Sequence, residues 1–281
     1  MIVPVLVTTA HRPLERRLVL RLLDEGGEVR AYGHGDTSAL RAAGAFVASG
    51  TVDDEGWLEA ACTDVHTVVH VGGGLLSPDP DQIVRDVEVL LRAVDGAGVQ
   101  RVIAVSLPGA DPTANDEIRR AKAEVERRLE AADVPTIVLR TSLVVTTGLG
   151  DALATAGLGP DARATEVAPV HPEDVVELIA AFDRARSRST SGHLVVSADG
   201  AERYPIDELL RRRGIGMPGQ GGLVGRTLPP AWLIDQLDAT LQGPWWNDDP
   251  VVLDGWRFAG IEPQPIAEVR TGGGAPGELE G

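Results

Sequence analysis

VLVTTAHRPLERRLV, residues 5–19, runs from an apolar segment through a polar turn into an amphipathic one. Ile2–Val7 is short and rich in β-branched residues, so it reads as a buried strand. Leu14, Leu18 and Leu22 then recur at i, i+4 and i+8, with Val19 and Leu23 widening the stripe. That spacing predicts a helix, and Gly26-Gly27 stops it. Pro4 is the local conflict, because a missing N–H is costly in a central strand. It is expected at the strand's first hydrogen-bonding position.

The same alternation continues outward. Val29–Tyr32, Ala45–Ala48 and Thr67–Val71 read as strands, the last followed by Gly72–Gly74. Between them lie two helical segments, 36–44 with Asp36 or Ser38 as N-cap and Gly44 as stop, and 53–62. A long helix begins near Pro80 and carries Ile83, Val84, Val87, Leu90, Leu91 and Val94. Strands at Val102–Val105, Thr136–Leu139 and His193–Val196 alternate with helices at Asn115–Ala132 and Pro172–Arg186. Strands separated by helices imply a doubly wound parallel sheet covered on both faces, with right-handed connections. From Gly214 the periodicity fades, and a helix is expected around Pro230–Thr240. The predicted organisation is 1–213 as the main domain, 214–270 as a small C-terminal lobe, and 271–281 as a disordered tail.

Composition narrows the functional classes. The 281 residues carry 26 basic and 42 acidic side chains, a formal net charge of −16. Phosphates repel such a surface, which argues against nucleic-acid and acidic-membrane partners. The apolar run Ile2–Val7 is far short of the ~20 residues of a membrane span, and no basic stretch precedes it. A single cysteine, Cys62, excludes an internal disulfide and fits a reducing compartment. These features predict a cytoplasmic protein.

The order of the segments resembles the atypical and extended short-chain dehydrogenase/reductase superfamily, above all its NmrA-like and sugar-epimerase-like branches. The stretches that carry the likeness are VLVTTAHRPLERRLV, TVVHVGGG, GVQRVIAVS, RRAKAEVERRLEAADVPTIVLRTSLV, VHPEDVVELIAAF and GHLVVSADGAERYPIDELLRR, spanning nearly residues 2–213. The resemblance implies a Rossmann-like sheet with a small substrate-type lobe. It also implies an NAD(P)-dependent oxidoreductase, epimerase or dehydratase, or an NAD(P)-sensing regulator, and a homodimer through helices 80–97 and 115–132.

The residues depart from that pattern at the first turn. The family's Thr-Gly-x-x-Gly-x-x-Gly allows a tight turn, close approach to a pyrophosphate and close helix–strand packing. Here its three glycine positions are Thr9, Arg12 and Glu15, although the chain holds 33 glycines elsewhere. A non-glycine residue at positive φ costs roughly 1 kcal/mol, which folds tolerate. A carboxylate ~4 Å from a phosphate, at an effective ε of ~20, costs on the order of 4 kcal/mol. Arg12 and Glu15, three apart, are expected to pair with each other. The remaining positions the resemblance assigns to cofactor binding are His11, His34, Gly72 and Gly73, while its adenine-side aspartate reads Thr51.

The family's Tyr-x-x-x-Lys places a phenol and an ammonium one helical turn apart, so that the lysine lowers the phenol's pKa. Lys122 matches the lysine, but the residue four earlier is Ile118. Ser106, with Leu107 as the equal alternative, stands where the family has Ser/Thr. The candidate catalytic residues are therefore Ser106, Lys122 and Asp79.

Elsewhere, His66 and His70 share a strand face but lack a third ligand in sequence, so no metal site is predicted. Residues 171–179 read as a capped structural helix. Trp232, Trp245, Trp246, Trp256 and Phe258 are either an aromatic pocket wall or the core of the lobe. The sequence predicts a non-redox binding or regulatory protein that takes a small molecule or protein partner and holds no dinucleotide. Two alternatives stand: an NAD(P)-dependent oxidoreductase or epimerase with an unusual cofactor pose held by Arg12 and His34, and a cofactor-independent lyase, isomerase or cyclase using Asp79 with His11 or His70.

Overall fold

The computed structural model describes residues 4–73, 79–146, 153, 158–185, 192–212, 236–237, 239–249 and 251–266. The elements run β1 (Val5–Val7), α1 (Pro13–Asp24), β2 (Val29–Gly33), α2 (Ser38–Ala42), β3 (Phe46–Ser49), α3 (Glu55–Cys62), β4 (Thr67–His70), α4 (Pro80–Ala97), β5 (Arg101–Ser106) and α5 (Glu117–Glu130). They continue as β6 (Thr136–Thr141), α6 (Pro160–Ala164), β7 (Glu166–Val167), α7 (Pro172–Arg184), β8 (His193–Ala198), β9 (Tyr204–Pro205), α8 (Ile206–Arg212), β10 (Leu253–Asp254) and α9 (Gly255–Ala259). Eight strands form one sheet in the order β10-β8-β6-β5-β4-β1-β2-β3, every pair parallel, and β7 and β9 form a separate antiparallel pair. The chain therefore has the Rossmann-like doubly wound fold.

Strand alternation sorts side chains to two cores. Leu6, Val68, Val102, Ala104 and Val138 pack with α3, α4, α5 and α8, whereas Val5, Val7, Val69, Ile103, Ile137 and Leu139 pack with α1, α2, α7 and α9. Pro4 lies just before β1, where it lacks only an N–H that the ladder does not need, and its carbonyl accepts from His66 N–H at 3.0 Å. The helix starts follow capping chemistry. Asp79 and Asp116 accept backbone N–H groups at the starts of α4 and α5, and His171 Nδ1 accepts from Glu173 before the Pro172 turn of α7. Thr37 holds the N-cap position of α2, while Asp36 accepts from Ser38 N–H in the preceding turn.

α1 and α7 lie side by side on one face. Leu14, Leu18 and Leu22 share a core with Val175, Val176 and Ile179. Arg17 pairs with Glu173, Arg21 with Glu177, and Arg184 with Glu25, all across this contact. These pairs are half exposed, so the apolar contact provides most of the stability.

Part of the C-terminal region, 251–260, adds to the main sheet and its helical layer. Leu253–Asp254 adds the eighth strand beside β8, and α9 packs on α7, with Phe258 stacked on Phe182 at 5.2 Å. A two-residue strand is too short to carry a readable pattern. The tryptophans do not share a wall: Trp245 is buried on the α5 face and Trp256 on the opposite face. Trp232 lies outside the described residues, as does the tail 271–281. Of the helix expected at 230–240, residues 236–237 and 239–240 are described and helical.

Arg119 ties the segment 240–245 to the body of the protein. Its guanidinium is 1% exposed and donates to the carbonyls of Pro108, Thr240 and Pro244 and to the Asp116 carboxylate, at 2.6–2.9 Å. Its guanidinium carbon lies 5.0 Å from the centre of the Trp245 ring. No helix among the described residues is long and apolar enough to cross a membrane.

Candidate functional site

Strand order reverses at β1, which lies between β4 and β2. In an open α/β sheet, the crevice outside the carboxyl ends of the strands at such a point is the usual place for a ligand. The turn Thr8–Arg12 forms its floor. Thr8 N–H donates to the Val69 carbonyl at 3.0 Å, and Ala10 N–H to the Tyr32 carbonyl at 3.0 Å, so the turn is fastened to both neighbouring strands. Thr9 holds φ +50°, a left-handed conformation that is uncommon for a β-branched residue. Gly33 allows the close approach of the turn, since a Cβ there would lie 3.0 Å from Ala10 N.

The Glu15 side chain folds back over the start of α1. Its Oε1 accepts from Thr9 Oγ1 at 3.0 Å, it also bonds its own backbone amide, and the residue is 2% exposed. A carboxylate in the first turn sits at the positive end of the helix dipole. Burial pushes its pKa up to about 7, against the opposing pull of its own amide, Arg12, Thr9 and Lys122. Near neutrality it is therefore about half protonated, and the repulsion expected of a full charge is reduced. Arg12 does not pair with it. The guanidinium reaches across the crevice and donates to the Gly72 carbonyl at 2.8 Å.

On the β4–β5 side lie His70, Ser106 and Lys122. His70 Nδ1 is 2.9 Å from Thr8 Oγ1, and burial with the nearby Lys122 and Arg12 charges lowers its pKa to about 3, so the ring is neutral. Lys122 Nζ donates to the Val105 carbonyl at 2.9 Å, and burial brings its pKa down to about 8. Ser106, the next residue, is buried with no partner for its hydroxyl. Lys122 thus anchors on the backbone one residue before Ser106, at the end of β5. Ile118, one turn before Lys122, is fully buried and offers no phenol.

The other candidates are placed differently. The His11 and His34 rings meet tilted at 42°, with centroids 3.9 Å apart, beside the first turn and the end of β2. Burial, then the His34 and Arg12 charges, lowers the His11 pKa. Gly72, at φ +72°, lies against His70, where a Cβ would stand 2.8 Å from Nε2. Gly73 is buried beside it. Asp79 is an exposed helix cap whose carboxylate accepts from Asp81 N–H and pairs with Arg85. His66 bonds Thr67 rather than sharing a ligand with His70. Among the described residues no group of three His, Cys, Asp or Glu side chains could hold a metal ion.

Sequence reading missed one cleft of about 850 Å³. Gly109, Asp111, Asn115 and Asp116 line one side, and Gln242 and Pro244 the other. It exists because Arg119 draws the 240–245 segment against the start of α5. The helical pattern of α5 gave no sign that Arg119, alone in its arginine pair, turns inward.

The family described as NAD(P)H-binding matches residues 10–182. No curated protein matches the chain by sequence. Among solved structures, the chain resembles Citrobacter sp. triphenylmethane reductase complexed with NADP(H), at TM-score 0.73 and 15% identity over 94% of this chain and 98% of that one. It resembles an NADPH-dependent quinone oxidoreductase from Escherichia coli complexed with NADPH, at TM-score 0.72 and 20% identity over 94% and 97%. A Staphylococcus aureus nucleoside-diphosphate-sugar epimerase is similar at TM-score 0.70 and 15% identity over 94% and 98%.

Proposed function

The chain belongs to the NAD(P)H-binding family, and from that premise we propose that it is a member that no longer holds the dinucleotide in the ordinary pose and works as a non-redox small-molecule-binding or regulatory protein. One observation carries this reading: the Glu15 carboxyl, bonded by Thr9 and by its own amide, lies at the start of α1. In this fold the pyrophosphate sits at that helix N-terminus. A pyrophosphate there would meet the Glu15 side chain and the Arg12 arm, so the residues present do not fit the group. The 850 Å³ cleft beside α5 has the size of a small-molecule site.

Isothermal titration with NADH and with NADPH is expected to give no binding at up to about 1 mM ligand. Micromolar affinity for either would overturn the proposal.

A second reading is favoured by Arg12, a cation at the crevice beside the paired His11 and His34 rings. An NAD(P)-dependent oxidoreductase or epimerase would then use Arg12 and His34 to hold phosphate in an unusual pose. Under that reading Arg12→Ala abolishes nucleotide affinity, and unchanged affinity excludes it.

A further inference from the structure

Resting on the reading above, we propose that Thr9, Arg12 and Glu15 form a built-in plug, an internal substitute for ligand phosphates seated on a backbone cradle that is still intact. Clearing the three side chains opens a latent dinucleotide-phosphate site. The cradle is legible in the backbone. Thr9 keeps the left-handed φ of +50° that glycine adopts freely and a β-branched residue seldom does. The turn keeps its fastenings to β4 and β2, and Gly33 keeps the close approach beneath it. The main chain is thus shaped for an anion while its side chains fill the anion's place.

Each side chain has a part in the plug. The Glu15 carboxyl takes the anion's place, accepting from Thr9 Oγ1 at the start of the twelve-residue helix α1. Thr9 holds that carboxyl, and Arg12 closes the crevice from above by its bond to the Gly72 carbonyl. Arg12 and the buried Lys122 both act on Glu15 as positive charges. Removing the carboxyl leaves the Lys122 charge and the positive end of the α1 dipole without that partner, which is the electrostatics an anionic ligand requires.

The test compares wild type, Glu15→Gly, and the triple variant Thr9→Gly/Arg12→Gly/Glu15→Gly, with NADPH as the probe. Folding is checked by circular dichroism, and binding by titration calorimetry and by the shift in melting temperature. The triple variant is expected to bind NADPH about a hundredfold more tightly than wild type, and Glu15→Gly about tenfold. A folded triple variant with wild-type affinity overturns the plug while leaving the proposed function standing. Should the triple variant not fold, the single variant decides, and no gain from Glu15→Gly overturns the plug. Micromolar binding by the wild type overturns the proposed function and, with it, the plug.

Discussion

Arg119→Ala is expected to lower stability by about 3–5 kcal/mol and to free residues 240–245 from the body of the protein. The guanidinium is almost fully buried, and its removal takes the charged partner from the Asp116 carboxylate, which keeps only a backbone N–H, and a donor from the carbonyls of Pro108, Thr240 and Pro244. An unpaired buried carboxylate is the larger part of that loss. Arg119→Lys should recover little, because one ammonium cannot span four acceptors set around a planar fork. Urea unfolding gives the magnitude, and hydrogen exchange at 240–245 gives the locality. A loss under about 1 kcal/mol, or unchanged protection of that segment, would show that Trp245 packing alone holds it.

Glu15→Gln is expected to be more stable than wild type at pH 8, by up to about 3 kcal/mol, and no more stable near pH 4. An acid whose folded pKa is raised from 4.5 to about 7 folds best when protonated. Its stability is complete below 4.5, falls as the pH rises toward 7, and stays low above that. The groups that set this balance are Arg12, Lys122 and Thr9, all of which favour the ionised form, against burial, which opposes it. Wild type alone does not isolate the effect. His70, depressed to about 3, contributes stability that is present above 6.5 and lost as the pH falls, the opposite slope over part of the same range. The difference between variant and wild type cancels His70. A difference that does not grow between pH 4.5 and 8 would show that Glu15 is ionised and solvated.

The alternation of strands and helices was legible because buried parallel strands and amphipathic helices leave strong periods. Leu14, Leu18 and Leu22 mark α1 as plainly in sequence as in the core. The departure at Thr9, Arg12 and Glu15 was equally visible, since residue type alone signals it. The partners were not. Arg12 and Glu15 stand at helical spacing, but Arg12 points across the sheet to Gly72, a residue 60 positions away. Arg119 and Arg120 look alike on paper, and the fold buries the first and leaves the second near the surface. Lys122 meets the Val105 carbonyl because strand register and helix packing place them together, which spacing within either segment cannot encode.

The contact between α1 and α7 bears on how the chain is made. Arg17 and Glu173 are separated by 156 residues. The side of α1 that faces α7 can find its cover only after α7 has left the ribosome. Until then that side of Leu14, Leu18 and Leu22 stays uncovered on a nascent chain, although β1, β2 and α2 already pack on the helix, and closing so long a loop is intrinsically slow. Vectorial synthesis therefore leaves this protein's first helix among the last to be secured, and truncated chains ending before residue 172 should be clients of holding chaperones rather than stable intermediates.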